Sequence, residues 1–503
     1  MSNYFAKIGK AILAGEASED DGLWGWRPAV DSPSGTHRWF WGRGGPKGLA
    51  RRENPPERAL EIRSFNDLHG AFFDPMARRD RLHHWVSSWK GGGCEASRFL
   101  FGVGDDHVGV PRWDEVMDDP VAADPAYALY LSVGVDAIVP GNHDLDWGFV
   151  HWRGKIARVP ELSFVWSNLA NSGEEGDAAE LPLAPAWILE RDGVRVGVLG
   201  LLSEIPSIAG DLELCDPVAA AVGGWAMLRD YVDYAVVLSH LGDDAALRAA
   251  LPPEVLVLGA HVHRFEPMPE RTWQPANLLV AGAHGTHLGE AFCVPRGRDR
   301  HWKARVIIWP KVSPGAPIST AERAWLESFA RDDATLANDE EAPSWPSALR
   351  GDLGEALAWM AAQLTRLPLS ETERKLGVDA NLALIGKSAV SVWPPPSPSR
   401  DRVAWRHVFP FQDTILTALI SPAKALELMA EGTWTTEGSA TEGASCACGG
   451  GNGAVRLVTH SYAAKGLGDY AADWAKAGID PSRLPWQETG VRLRDFLWKA
   501  LSV

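Results

Sequence analysis

Asp67 and His69 stand two residues apart in Asn66-Asp67-Leu68-His69-Gly70, and His261 and His263 repeat that spacing in Ala260-His261-Val262-His263. Between them come Asp105 in Gly104-Asp105, Asn142 and His143 in Gly141-Asn142-His143-Asp144, and His240 in Ser239-His240. Carboxylate oxygen and imidazole nitrogen are the donors that hard and borderline divalent cations take. A spacing of two lets an extended or turning backbone aim both side chains at one ion. A carboxylate such as Asp105 can bridge two cations, and the neutral carbonyl of Asn142 leaves the total charge favourable for an anionic substrate. A lone Asp-x-His or His-x-His is more often a satisfied polar turn than a ligand pair. Five such pieces, each directly behind a strand, reverse that weighting.

The strands that must position them are short and rich in Val, Ile or Leu, as buried strands are. They are expected at Ala59–Ser64, Arg98–Val103, Ala137–Pro140, Val194–Leu201, Ala235–Leu238 and Val255–Leu258. Polar or Gly-rich turns and helix-like segments follow them, the rhythm of an α/β domain. Ligands in open α/β sheets gather at the C-terminal ends of strands, so the five polar turns can meet at one place.

The blocks FNDLHG, GDDHVG, GNHDLDWG, LSHLG and AHVH, in that order, resemble the successive signatures of the calcineurin-like metallophosphoesterases. They are most similar to those of the bacterial 5′-nucleotidase and UDP-sugar hydrolase family. LERDGVRVGVLGL resembles that family's central hairpin, and LLVAGAHGTHLGE its block after the last histidines. The resemblance implies a four-layer α/β/β/α metallophosphoesterase sandwich followed by a smaller α/β 5′-nucleotidase-type domain. It implies two divalent ions, Mn, Zn or similar. Asp67, His69 and His263 would hold the first, Asn142, His240 and His261 the second, and Asp105 would bridge. His143 matches the family's catalytic histidine and Asp146 the carboxylate that orients it. Ala260 replaces a usual glycine, and His263 stands where some relatives have glutamine, which would shift metal preference.

In the C-terminal half, Val403–Met429 resembles the same family's second domain, with Pro410-Phe411-Gln412-Asp413-Thr414 in place of a P-F-x-N block. VTHSYAAKGLGDY resembles the stretch ending G-G-D-G-aromatic, without its second glycine. By this resemblance Phe411 and Tyr470 would clamp a nucleobase. Residues 384–391 align with an N-G-G-x-x-R block but hold no arginine, so Lys387 would meet the substrate as a point charge rather than a fork. The implied activity is hydrolysis of a small phosphoester, most directly by a 5′-nucleotidase. A cyclic-nucleotide phosphodiesterase, a UDP-sugar hydrolase, a sulfur-substrate relative or a non-catalytic binding protein are the alternatives. Gly386-Lys387-Ser388 is not a P-loop, because Asn381 stands where the first glycine is needed and Leu-Ala-Leu-Ile between them reads as a strand.

At 503 residues the chain is long enough for two domains. The expected divisions are a Trp-rich extension at 1–57, a metallophosphoesterase domain at 58–318, a helical linker at 319–346 and a substrate-binding domain at 347–503. The extension, with Trp24, Trp26, Trp39 and Trp41, shows no clean period and reads as irregular chain packed on the body by its aromatics. Ser319–Arg331 reads as a helix with Thr320 as its cap. A formal charge of −16, with 65 acids against 49 bases, speaks against a grip on nucleic-acid polymers. No run of about 18 apolar residues marks a membrane span. The N-terminus lacks a signal-peptide core, so the sequence as it stands points to the cytoplasm, or to the periplasm if the natural N-terminus differs. Five cysteines make no disulfide framework: three are scattered, and the C-x-C of Cys446 and Cys448 reads as loop.

Overall fold

In the computed structural model the chain divides into two compact units, the first running to Leu336 and the second from Ala337 to Val503. The structure describes residues 3–15, 24–32, 35–43, 49–53, 57–71, 73–74, 79–90, 96–107, 123–171, 181–203, 212–267, 272–296, 299–309, 317–324, 326–327, 353–375, 378, 380–385, 413–421, 423–425, 428, 455–465, 474–475 and 478–500.

Two eight-stranded sheets build the first unit. One runs Trp24–Pro28, His37–Arg43, Ala186–Arg191, Val194–Leu202, Tyr234–His240, Val255–Gly259, Leu278–Ala281, Phe265–Glu266. The other runs Leu183–Ala184, Phe164–Val165, Ala137–Ile138, Ser97–Gly102, Leu60–Phe65, His287–Arg296, Asp299–Ile308, Gln274–Pro275. Alternation along each strand sends one set of side chains between the sheets and the other outward. Val194, Val196, Val198, Val236, Leu238 and Leu256 of the first sheet meet Leu60, Ile62, Phe99, Phe101 and Ala291 of the second in one buried core.

The outward set of the first sheet, including Ile188, Leu201, Val237 and Val257, packs beneath helices Asn3–Leu13 and Pro217–Leu228. Helices Arg81–Lys90, Pro125–Val133 and Phe149–Ile156 cover the second sheet. There Tyr130 packs on Phe65 with ring centroids 5.1 Å apart, Tyr127 on Phe164 at 4.9 Å, and Arg63 lies 4.8 Å over Trp85. The unit is therefore the expected four-layer α/β/β/α sandwich. Its central strands are parallel, and Tyr234–His240 is buried at every residue, which explains why it reads as an unbroken apolar run.

The Trp-rich segment requires a correction. Trp24–Pro28 and His37–Arg43 are paired strands at the edge of the first sheet, His37–Phe40 in antiparallel register with Trp187–Glu190. Trp41 packs outward with Trp26, edge to face at 5.1 Å, while Phe40 faces the inter-sheet core. Aromatics on both faces erase the polar–apolar alternation that would have marked a strand. Residues 320–324 are helical as expected, but Ser319 rather than Thr320 is the cap, its hydroxyl accepting from the Glu322 N–H at 3.0 Å.

The second unit holds a four-stranded sheet ordered Ala380–Ala383, Val455–His460, Thr414–Ile420, Gln487–Arg492, parallel in its first pair and antiparallel thereafter. Helices Leu353–Leu364 and Leu493–Ala500 cover one face through Leu357, Met360, Leu364 and Leu497. Trp474, Leu428 and Ile479 pack on the other. No helix among the described residues is long and apolar enough to cross a membrane.

Candidate metal centre

Each sheet of the first unit delivers polar side chains from the C-terminal ends of three parallel strands. From the second sheet, Asp67 and His69 follow Leu60–Phe65, Asp105 follows Ser97–Gly102, and Asn142 and His143 follow Ala137–Ile138. From the first sheet, His240 ends Tyr234–His240, His261 and His263 follow Val255–Gly259, and His284 follows Leu278–Ala281. The turns are tied to one another through the backbone. Asp67 donates its N–H to Gly104 O at 2.9 Å, His69 to Asp105 O at 2.9 Å, and His284 to Asp67 O at 2.8 Å.

Two groups of donors result. The ligand atoms of Asp67, His69 and His263 lie within 4.8 Å of one another, and so do those of Asp105, His240 and His261. Asn142 joins the second group, its Oδ1 lying 3.0 Å from His261 Nδ1. His240 Nε2 is 3.1 Å from Asp105 Oδ2 and 3.9 Å from Asp67 Oδ1, so the groups adjoin. In each, one sheet supplies the carboxylate and the other at least one histidine.

The donor chemistry fits divalent cations. His240 is fully buried, and its Nδ1–H donates to Val103 O at 2.7 Å, which fixes the tautomer and leaves Nε2 facing the site without an aligned hydrogen-bond partner. Burial opposes charge on this ring, but the neighbouring Asp105 carboxylate outweighs it and pushes the His240 pKa up to about 10. Burial pushes the Asp67 carboxyl up to about 7. A cation held between such groups would take the place of the proton. His69 Nε2 and His263 Nε2 lie 3.3 Å apart, and burial holds both rings below the usual range, His263 at about 4. Neutral imidazoles are the form that ligates.

The backbone is bent to reach this arrangement. The described non-glycine residues with left-handed φ are Asp67, His69, Asp105, Asp192, His261, His263 and His284. Asp192 makes the tight Asp-Gly hairpin turn; the other six all surround the two donor groups. Such conformations cost about 1–3 kcal/mol each and persist where the surroundings over-determine them.

Beside the donors, His143 Nδ1 lies 3.0 Å from Asp146 Oδ2, and its ring centroid is 5.6 Å from that of His69. The His143 N–H donates to Asp105 Oδ1 at 2.8 Å. Beneath them, Asp144 accepts from the N–H groups of Gly141 at 2.7 Å, Asp105 at 3.1 Å, Asp106 at 3.3 Å and His107 at 3.4 Å. It thereby pins two donor-bearing turns together. The His107 ring is held between Asp144 at 2.5 Å and Asp124 at 2.8 Å, and Asp124 also caps the Pro125–Val133 helix. Burial alone would discharge His107, but the two carboxylates outweigh it and hold its pKa well above the usual range.

The structure thus brings together Asp67, His69, Asp105, Asn142, His143, Asp146, His240, His261 and His263. Phe411, Tyr470 and Lys387 lie outside the described residues, as do Cys446 and Cys448. The sequence reading omitted Asp144, His107 and His284. The signal for His284 was legible: Ala283-His284-Gly285 follows the apolar run Leu278–Ala281 as Leu68-His69-Gly70 follows Leu60–Phe65.

No protein-family model matches the chain, and no curated protein does. Solved structures do match. A putative 5′-nucleotidase from Staphylococcus aureus is 16% identical, with 88% of this chain and 96% of that one aligned at a TM-score of 0.62. A 5′-nucleotidase precursor from Thermus thermophilus is 17% identical over 88% and 97%, at 0.58. A sulfate thiohydrolase from the same organism is 12% identical over 90% and 95%, at 0.54. What the chain shares with them at such identities is the fold: it has the two-domain α/β architecture of the 5′-nucleotidase structures, nearly end to end.

Proposed function

We propose that this chain is a dinuclear-metal hydrolase of phosphate esters, and that it acts as a 5′-nucleotidase on a small nucleotide-type phosphomonoester. The observation that carries the reading is the convergence of the two donor groups, Asn142 included, from five strand ends of two sheets. Asp67, His69 and His263 would hold one ion, Asn142, His240 and His261 the other, with Asp105 shared between them. Two dications against the two carboxylates Asp67 and Asp105 leave a net positive centre, suited to a phosphate group in a protein whose overall charge is −16. Such ions, when bound, supply positive charge to phosphoryl oxygens and lower the pKa of an attacking water.

The remaining work belongs to the chain. His143 donates a hydrogen bond to the charge that develops on the phosphoryl group, and passes a proton to the leaving oxygen. Asp146, 3.0 Å from His143 Nδ1, fixes the ring so that Nε2 serves this role. Buried His240, Asp67 and Asp105 hold their positions before substrate arrives, which is the condition for electrostatic stabilisation without reorganisation. For the base of the substrate, Phe411 and Tyr470 are proposed as a stacking clamp and Lys387 as an anion contact, on the strength of their sequence blocks.

The deciding experiment joins metal analysis of the purified chain with a Mn²⁺-supplemented panel of AMP, a cyclic nucleotide, a UDP-sugar and a sulfur-linked ester. Two bound equivalents and fastest release of phosphate from AMP are expected. A chain that binds two ions and hydrolyses a different member of the panel keeps the chemistry and changes the substrate. One that turns over none of them is a binding protein on this fold.

A further inference from the structure

His284 belongs to neither donor group, yet the fold places its ring beside the first of them. It follows Leu278–Ala281, the sixth strand to end at the site, in a turn bracketed by Gly282 and Gly285, both at left-handed φ. Neither glycine can be replaced freely. A Cβ on Gly285 would come 2.8 Å from Ala71 O, and one on Gly282 would come 2.3 Å from the Phe265 ring. His284 itself sits at φ 54°, in the same left-handed conformation as Asp67, His69, His261 and His263. Its N–H is spent on Asp67 O at 2.8 Å, which locks the turn to the first donor group.

The ring is then presented beside that group, its centroid 5.0 Å from the His69 ring and 5.2 Å from the His263 ring. It does not complete the group: among the described residues the ligand atoms that converge there are those of Asp67, His69 and His263. The ring is exposed, and its nitrogens meet no hydrogen-bond partner among the described residues. An exposed imidazole held on strained backbone beside a cation site, with no side-chain hydrogen bond to any described residue, is placed to donate to whatever anion the site receives.

We propose that His284 is a substrate-contacting residue whose imidazole N–H donates to an anionic oxygen of the phosphoester at the first donor group. The role rests on the phosphoester reading above. Removal of one hydrogen bond to a charged oxygen is expected to weaken anion binding about tenfold, the low end of the effect for such bonds.

The test uses the full chain and its His284→Ala and His284→Gln variants, stripped of metal and titrated with Mn²⁺ by calorimetry, then with inorganic phosphate on the Mn²⁺-loaded forms. The alanine variant is expected to bind two Mn²⁺ with unchanged affinity and inorganic phosphate about tenfold more weakly. Glutamine, which keeps an N–H donor, is expected to recover part of that loss. With p-nitrophenyl phosphate, KM should rise in the alanine variant while kcat stays within about twofold. Loss of a Mn²⁺ equivalent would make His284 a ligand and overturn the proposal. So would unchanged phosphate affinity, or a glutamine variant no better than alanine. If the wild-type chain binds Mn²⁺ and phosphate but hydrolyses no ester, the hydrolase reading fails, and the phosphate affinities still judge His284.

Discussion

At the scale of single residues, the site is governed by which proton each histidine keeps. His240 donates its Nδ1–H in a hydrogen bond to Val103 O and turns Nε2 toward Asp105, 3.1 Å away. In the metal-free chain Asp105 holds a further proton on this ring up to a pKa of about 10, so an entering cation must displace it. Metal binding at pH 7 is therefore expected to release protons, and affinity for Mn²⁺ to rise from pH 6 to pH 8; calorimetry in buffers of different ionisation enthalpy reads the proton count. An affinity flat over that range would contradict the assignment of His240. His143 is placed differently. Its Nδ1 faces Asp146, and it lies outside both donor groups. Replacement of His143 by alanine should leave two ions bound and reduce kcat about 10²- to 10⁴-fold, the usual worth of a positioned acid. Wild-type turnover in that variant would remove His143 from the mechanism.

At the scale of elements, the donor-bearing turns are bonded to one another. Asp144 accepts four backbone N–H bonds from the turns that carry Asp105 and Asn142. Its replacement by alanine strands buried donors at a cost of about 1–3 kcal/mol each. Loss of both turn positions should lower Mn²⁺ affinity about 10- to 100-fold, as removal of a supporting carboxylate does elsewhere; titration of the folded variant reads this directly. On the far side of the first sheet, helix Asn3–Leu13 approaches helix Pro217–Leu228 so closely that a Cβ on Gly9 would come 1.7 Å from Ala219 O. A Cβ on Gly223 would come 2.0 Å from Phe5 O. Gly9→Val should therefore pry the helix off the core and lower the Tm by several degrees, an overpacking cost of about 1–3 kcal/mol. A Tm within one degree of wild type would show that the contact is dispensable.

At the scale of the whole molecule, the donors of each group come from opposite sheets and from distant parts of the chain: His69 and His263 are separated by 194 positions. The donor groups exist only when the sandwich is closed, so cations bind the folded chain and not the unfolded one. Linkage then requires the Tm to rise with free Mn²⁺, by about 2.7 kcal/mol of stability per site at a hundredfold excess over Kd. A Tm indifferent to Mn²⁺ and to EDTA would deny the centre.

Much of this was legible in the sequence because a parallel strand buried on both faces must be apolar throughout. The polar residue that ends such a run marks a place where chain leaves the core. The strands expected at Arg98–Val103 and Val194–Leu201 are found at Ser97–Gly102 and Val194–Leu202, and the turns behind the strands carry Asp67, His69, Asp105, His240, His261 and His263, which the fold gathers into two groups. Periodicity failed where both faces of a strand carry aromatics, as at His37–Arg43. Local pattern alone set which residues could ligate, because donor type and spacing are properties of a short segment. Only the tertiary structure decided which of them share a group, that Asp144 binds two turns into one, and that His284 stands beside His69 and His263. Those are distances across two sheets, and strand pairing fixes them.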